Sequence, residues 1–178
     1  MITLVFIAAM FIGLVLQHFV GAVPGFGSQI MVLPIIFLCG AAALPVWNML
    51  VLAFTAGLMW DCMHFMPVEG RVDFPFGGTI LLYAGIGAMM NGLRPLLLRG
   101  LWFIHAAAAG VLTSAPVLVE YVIITFRREP FALVWPREVW TRIGGTALVT
   151  AFLAAPLFLF LNWAGRRAGL FTPRRAAI

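Results

Sequence analysis

The sequence predicts an all-α fold: a polytopic membrane helix bundle of about six transmembrane helices. Three observations lead there. The run from Met1 to Trp60 is sixty residues long and holds no Asp, Glu, Lys or Arg. A water-facing domain needs charges on its exterior, and this stretch has none; each helical crossing of a bilayer takes about 20 apolar residues. Second, 63% of the 178 residues are hydrophobic and only 10% are charged, whereas globular domains carry about 25% charged residues. Mean hydropathy is +1.08. Third, the remaining apolar sequence falls into helix-length segments, and none alternates with the period of two that a barrel strand needs. Helices satisfy their own backbone hydrogen bonds, which hydrocarbon demands.

Six apolar segments can be drawn in order. The first runs from Ile2 to Val20. Met1-Ile2-Thr3 supplies no basic n-region, so a retained spanning helix is expected rather than a cleaved signal. Gly21 to Gly27 breaks it, because Gly and Pro at that density punctuate helices. The second segment, about Gln29 to Leu44, carries Pro34 and is short for a full crossing. Pro45 separates it from the third, about Val46 to Met66. A polar linker from Pro67 to Pro75 holds Glu69, Arg71 and Asp73. The fourth, Phe76 to about Leu93, contains Gly77, Gly78, Gly85, Gly87 and Gly92. Small residues at such spacings let helix backbones approach closely in lipid. Arg94-Pro95 closes it, and the fifth runs from Leu97 to Phe126 past Pro116. A loop from Arg127 to Arg142 follows, then the sixth segment, Ile143 to Trp163, with Pro156 inside. Residues 1–165 thus form a single transmembrane domain, and residues 166–178 an Arg-rich tail.

All eleven basic residues are Arg, and the net charge is +5. The arginines sit at the ends of apolar runs, as topology signals do, rather than on one soluble face, which argues against nucleic acid. With both termini on one side, that side holds Arg94, Arg99 and the four tail arginines; the other holds Arg71, Arg127, Arg128, Arg137 and Arg142. The balance is close, and the acid-free tail favours a cytoplasmic C-terminus. The six tryptophans lie near segment ends, where an apolar ring with a polar edge favours the headgroup level. Cys39 and Cys62 lie inside apolar runs with no CxxC, and read as small buried hydrophobes.

Few residues invite chemistry. Asp61 sits inside the third apolar segment, where a carboxylate at mid-bilayer costs ~2.5–3.5 kcal/mol or more. His64, three positions on, falls on the same helix face. Together they read as a proton or metal site, or else as structural groups that are paired or close to the surface before Pro67. One Asp and one His supply two ligands at most, which favours the structural reading. Glu120 is the second intramembrane acid, with Asn91, Arg94 or Arg99 as candidate partners. His18, His64 and His105 do not recur at a helical interval, so bis-His haem ligation lacks its spacing. No G-x-S-x-G or H-E-x-x-H occurs, and Gly25-Phe26-Gly27 lacks the strand and Lys of a phosphate cradle. No catalytic residue, cofactor or metal is assigned.

The order of these features resembles the rod shape-determining protein MreD family. The matching pieces are Leu14-Val15-Leu16-Gln17, Gly57-Leu58-Met59-Trp60-Asp61, Pro75-Phe76-Gly77-Gly78 and Leu81-Leu82-Tyr83-Ala84-Gly85, with a last helix ending in an Arg-rich tail. The resemblance spans nearly the whole chain; Gly-x-x-x-Asp and the later Phe-Gly carry most of its specificity. It implies a non-enzymatic, multi-pass protein of the bacterial inner membrane. Such a protein works with MreC, RodA and its class B transpeptidase, and indirectly with MreB, in elongating the peptidoglycan wall. It also implies a six-helix fold similar to substrate-binding subunits of energy-coupling-factor transporters. A vitamin-binding subunit of that type is the rival expectation. Asp61, His64, Gly77, Gly78, Gly85 and Glu120 are the structural or partner-contact candidates.

Overall fold

The fold is that of a computed structural model, which describes residues 2–20, 30–64, 67–68, 71–72, 77–127 and 137–167. Among these, seven helices follow in order: α1 (Ile2–Val20), α2 (Val32–Ala43), α3 (Val46–His64), α4 (Gly78–Gly92), α5 (Arg94–Leu98), α6 (Trp102–Arg127) and α7 (Arg137–Arg167). Between α3 and α4 a two-residue antiparallel ladder pairs β1 (Pro67–Val68) with β2 (Arg71–Val72), Pro67 opposite Val72 and Val68 opposite Arg71. The stretch expected as a plain linker therefore folds back on itself.

Four helices, α1, α3, α6 and α7, are long and apolar enough to cross a membrane. Their outward faces carry large hydrocarbon side chains: Phe152 is 81% exposed, and Phe19, Leu4 and Val111 are comparably bare. So much open apolar surface on every long helix is stable in lipid and unstable in water. With 12 and 15 residues, α2 and α4 reach only about 18 and 22 Å, short of a hydrocarbon core of about 30 Å.

The centre of the bundle belongs to α2. It touches every other helix, and nine of its twelve residues are buried. A helix that is apolar all round and has no outer face is placed inside by the same rule that puts one-faced helices outside. Around it, three helix pairs run antiparallel. Gly13 of α1 meets Ile36 and Val32 of α2, Gly57 of α3 meets Ile80 of α4, and Gly110 of α6 meets Ala147 and Ala151 of α7. The α6–α7 pair is tight because a Cβ at Gly110 would stand 2.5 Å from the Ala147 carbonyl oxygen.

Helix boundaries differ from the sequence reading in two places. The fifth segment is divided: α5 ends at Leu98, and a turn with Gly100 at φ +87° leads into α6. Arg94-Pro95 starts that short helix instead of closing the fourth, because a proline in the first turn gives up an N–H that has no helical acceptor. The loop expected up to Arg142 is helical from Arg137 onward. The charged residues there do not stop the helix, and Glu138 in its first turn suits the positive end of the helix dipole. Both α6 and α7 continue through their internal prolines, Pro116 and Pro156.

Candidate functional site at the seam of the third and fourth helices

Gly57 and Asp61 lie one turn apart on α3 and face the start of α4. A Cβ at Gly57 would stand 2.6 Å from the Ile80 Cα and 2.7 Å from its nitrogen, so only glycine permits this approach. The closeness brings α4 within reach of the Asp61 side chain. Gly77 caps α4 with φ +95°, a conformation open to glycine and strained for other residues. Having no side chain, Gly77 cannot cap the helix itself. Asp61 does so from the neighbouring helix: the Gly77 N–H donates to Asp61 Oδ2 at 2.7 Å. The negative carboxylate also meets the positive end of the α4 dipole. The single hydrogen of the Thr79 hydroxyl lies between two acceptors, the Gly57 carbonyl at 2.9 Å and Asp61 Oδ1. Asp61 is 5% exposed and Thr79 is buried beside it.

Asp61 is thus held by a backbone amide and a hydroxyl, with no cation beside it among the described residues. One turn further along α4, the buried Tyr83 ring stands edge-on to Phe37 of α2 at 5.1 Å and tilts against Trp60 of α3 at 6.4 Å. Its buried hydroxyl has no hydrogen-bond partner among the described residues. The cluster therefore joins α2, α3 and α4 at one end of the bundle.

A second polar clasp holds the opposite end of this trio. Asn91 of α4 donates both hydrogens of its side-chain amide to α2, to the carbonyls of Ala41 and Leu44, each at 2.8 Å. The reason is in the chain. Ala41 O would accept from the residue four positions on, which is Pro45 and has no N–H. At the start of α2, the Leu33 N–H points to Gln17 Oε1 of α1 across a long 3.4 Å contact. A helix whose ends lie inside the protein needs such partners, because no water is at hand.

The remaining candidates separate. Gly78 is exposed on α4. A Cβ at Gly85 or Gly92 would meet nothing within 4 Å, whereas one at Gly87 would stand 2.7 Å from Met49 Sδ. The close approaches use Gly57 of α3 and Gly87, and the rest of the α4 glycines face outward. The side chains of His64 and Glu120 lie outside the described ones. His18 is exposed on α1, while His105 is buried in α6, its Nδ1 3.5 Å from Leu101 O and its ring against Phe158 of α7. No three His, Cys, Asp or Glu side chains converge among the described residues. Thr79 and the capping role of Asn91 escaped the sequence reading; the one available signal was a proline four residues past Ala41. No family model, curated protein or solved structure matches this chain.

Proposed function

We propose that this chain is a non-catalytic assembly subunit of the wall-elongation machinery in a bacterial inner membrane, of the MreD type. In this reading the shorter α2 and α4 carry the chain back between the four long helices, their connecting segments completing what the helices themselves are too short to cross, and both termini lie in the cytoplasm. MreC is the direct partner, and RodA, its class B transpeptidase and MreB lie further along the same complex. The observation that carries the reading is the outer face of α4. Gly78, Leu81, Gly85, Ala88 and Gly92 are all exposed there, and Leu81 is 77% bare. Glycine inside a helix costs about 1 kcal/mol relative to alanine. At Gly85 nothing within the protein is gained for that cost, and the space beside Gly92, the last residue of α4, is open as well. The small residues Gly78, Gly85, Ala88 and Gly92, beside the exposed Leu81 and Met89, give a second helix places for close approach. The buried polar groups support this role over a vitamin-binding one. Asp61, Thr79, Asn91 and Gln17 are engaged with neighbouring helices rather than converging on a pocket.

The test is co-expression with tagged MreC followed by detergent purification. Gly85→Leu and Gly92→Leu should each lower the amount of this chain recovered with MreC at least fivefold, without lowering its helicity or melting temperature. Full recovery with both variants, or no recovery of the native chain, removes the reading.

A further inference from the structure

Both α1 and α7 pack on α2. Between them they leave a groove whose floor is α2. Val5 and Ala9 of α1, Ile36 and Cys39 of α2, and Leu157 and Phe160 of α7 line it, around a volume of about 270 Å³. Nothing in that lining can hydrogen-bond strongly, and the helices that form its walls are long and apolar enough to span the membrane. The volume admits roughly nine groups of about 30 Å³, the liquid share of one water and close to that of one methylene. It fits about nine carbons of a single hydrocarbon chain. A helix, about 10 Å across or more, is too wide to enter and would lie over the mouth.

A charged group stands at the end of the groove. The Phe160 ring, on the groove wall, lies 5.8 Å from the Trp163 ring, and the Arg167 guanidinium sits 4.2 Å above Trp163. From Leu157 to Arg167 the helix climbs about 15 Å, half of a 30 Å hydrocarbon core, the depth of one leaflet. Trp163 is the kind of residue that marks headgroup depth. Arg167 has no carboxylate partner among the described residues, and the sequence after Glu138 contains no acid at all. A cation with no carboxylate partner among the described residues, at the headgroup level and joined through two rings to an apolar groove, describes one ligand. We propose that the α1–α2–α7 groove seats an acyl chain of an anionic phospholipid whose headgroup is held by Arg167. This inference concerns the isolated chain and stands apart from any protein partner.

The full chain, purified in mild detergent, is equilibrated with vesicles of equal phosphatidylglycerol and phosphatidylcholine carrying the same acyl chains. Retained lipids are then counted by native mass spectrometry. The native chain should keep phosphatidylglycerol over phosphatidylcholine by about fivefold. Arg167→Gln should lower that ratio at least threefold while chains are still retained. Ala9→Phe, which fills the groove, should lower retention of both lipids, and Leu81→Phe on α4 should change neither. Equal retention of the two lipids by the native chain, or variants that hold lipid as it does, overturns the proposal. Because Ala9→Phe risks the fold, a photoreactive benzoylphenylalanine at position 157 provides an independent readout in native membranes. An adduct of phospholipid mass supports the site, and an adduct with a polypeptide overturns it.

Discussion

Replacing Asp61 by alanine leaves the Gly77 amide without its acceptor, while the Thr79 hydroxyl keeps only the Gly57 carbonyl. A buried polar group stripped of its partner costs about 1–3 kcal/mol, and loss of a helix cap is of the same order. Asp61→Ala is therefore expected to melt earlier in detergent by that amount, followed by circular dichroism. Asp61→Asn retains one carbonyl acceptor and should lose less; equal losses would contradict the capping role. Gly57 in the seam and Gly85 on the outer face of α4 make an opposed pair. At Gly57 an added methyl meets the Ile80 backbone at 2.6 Å, so Gly57→Ala should destabilise by about 1–3 kcal/mol, the usual cost of overpacking. At Gly85 the space is open, so Gly85→Ala should stabilise the isolated chain by up to about 1 kcal/mol through helix propensity. Thermal melts of the two variants must move in opposite directions. Asp61 was conspicuous in the sequence because a carboxylate among apolar residues is costly in lipid. Its partners were hidden, since Gly77 and Thr79 stand 16 and 18 positions away.

At the level of the helix, α2 depends on its neighbours at both ends. Asn91→Ala removes both donors from the Ala41 and Leu44 carbonyls. At about 1–3 kcal/mol per buried group left unpaired, the loss should reach ~2–6 kcal/mol. Asn91→Asp should be worse than alanine, because it presents acceptor oxygens to two carbonyl oxygens. The order native, Asn91→Ala, Asn91→Asp in melting temperature checks this, and faster amide exchange in the last turn of α2 should accompany it. Gln17→Leu should matter much less, given the 3.4 Å contact. The existence of α2 was readable from its apolar run and its flanking prolines, and its brevity was visible too. That the shortest of these apolar segments would become the hub was not, because its uniformly apolar sequence marks no face as inner or outer.

Seen whole, the molecule is an apolar bundle with polar fastenings at its two ends. The outward Phe, Leu and Val of the four long helices should keep it in the membrane pellet after carbonate washing, and only detergent should release it. Orientation has its own check. Cys62 is exposed in the last turn of α3, while Cys39 is buried in α2. With both termini cytoplasmic, a membrane-impermeant maleimide added to spheroplasts should label Cys62 and leave Cys39 untouched until the protein is unfolded. Labelling of Cys62 only after the inner face is opened would reverse the orientation. The arginine count alone settles this poorly, because six residues on one side stand against five on the other.

Composition by itself determined the solvent and the kind of secondary structure. Transfer into lipid is close to a sum over residues, and sixty positions without a charge leave that sum in no doubt. Tertiary structure alone decided which helix lies at the centre, which glycines admit a neighbour, and which side chains close the seams. Those outcomes depend on pairs such as Asn91 with Ala41, fifty residues apart. A hydrogen bond of that kind exists only once two helices are brought together, and nothing local to either helix specifies it.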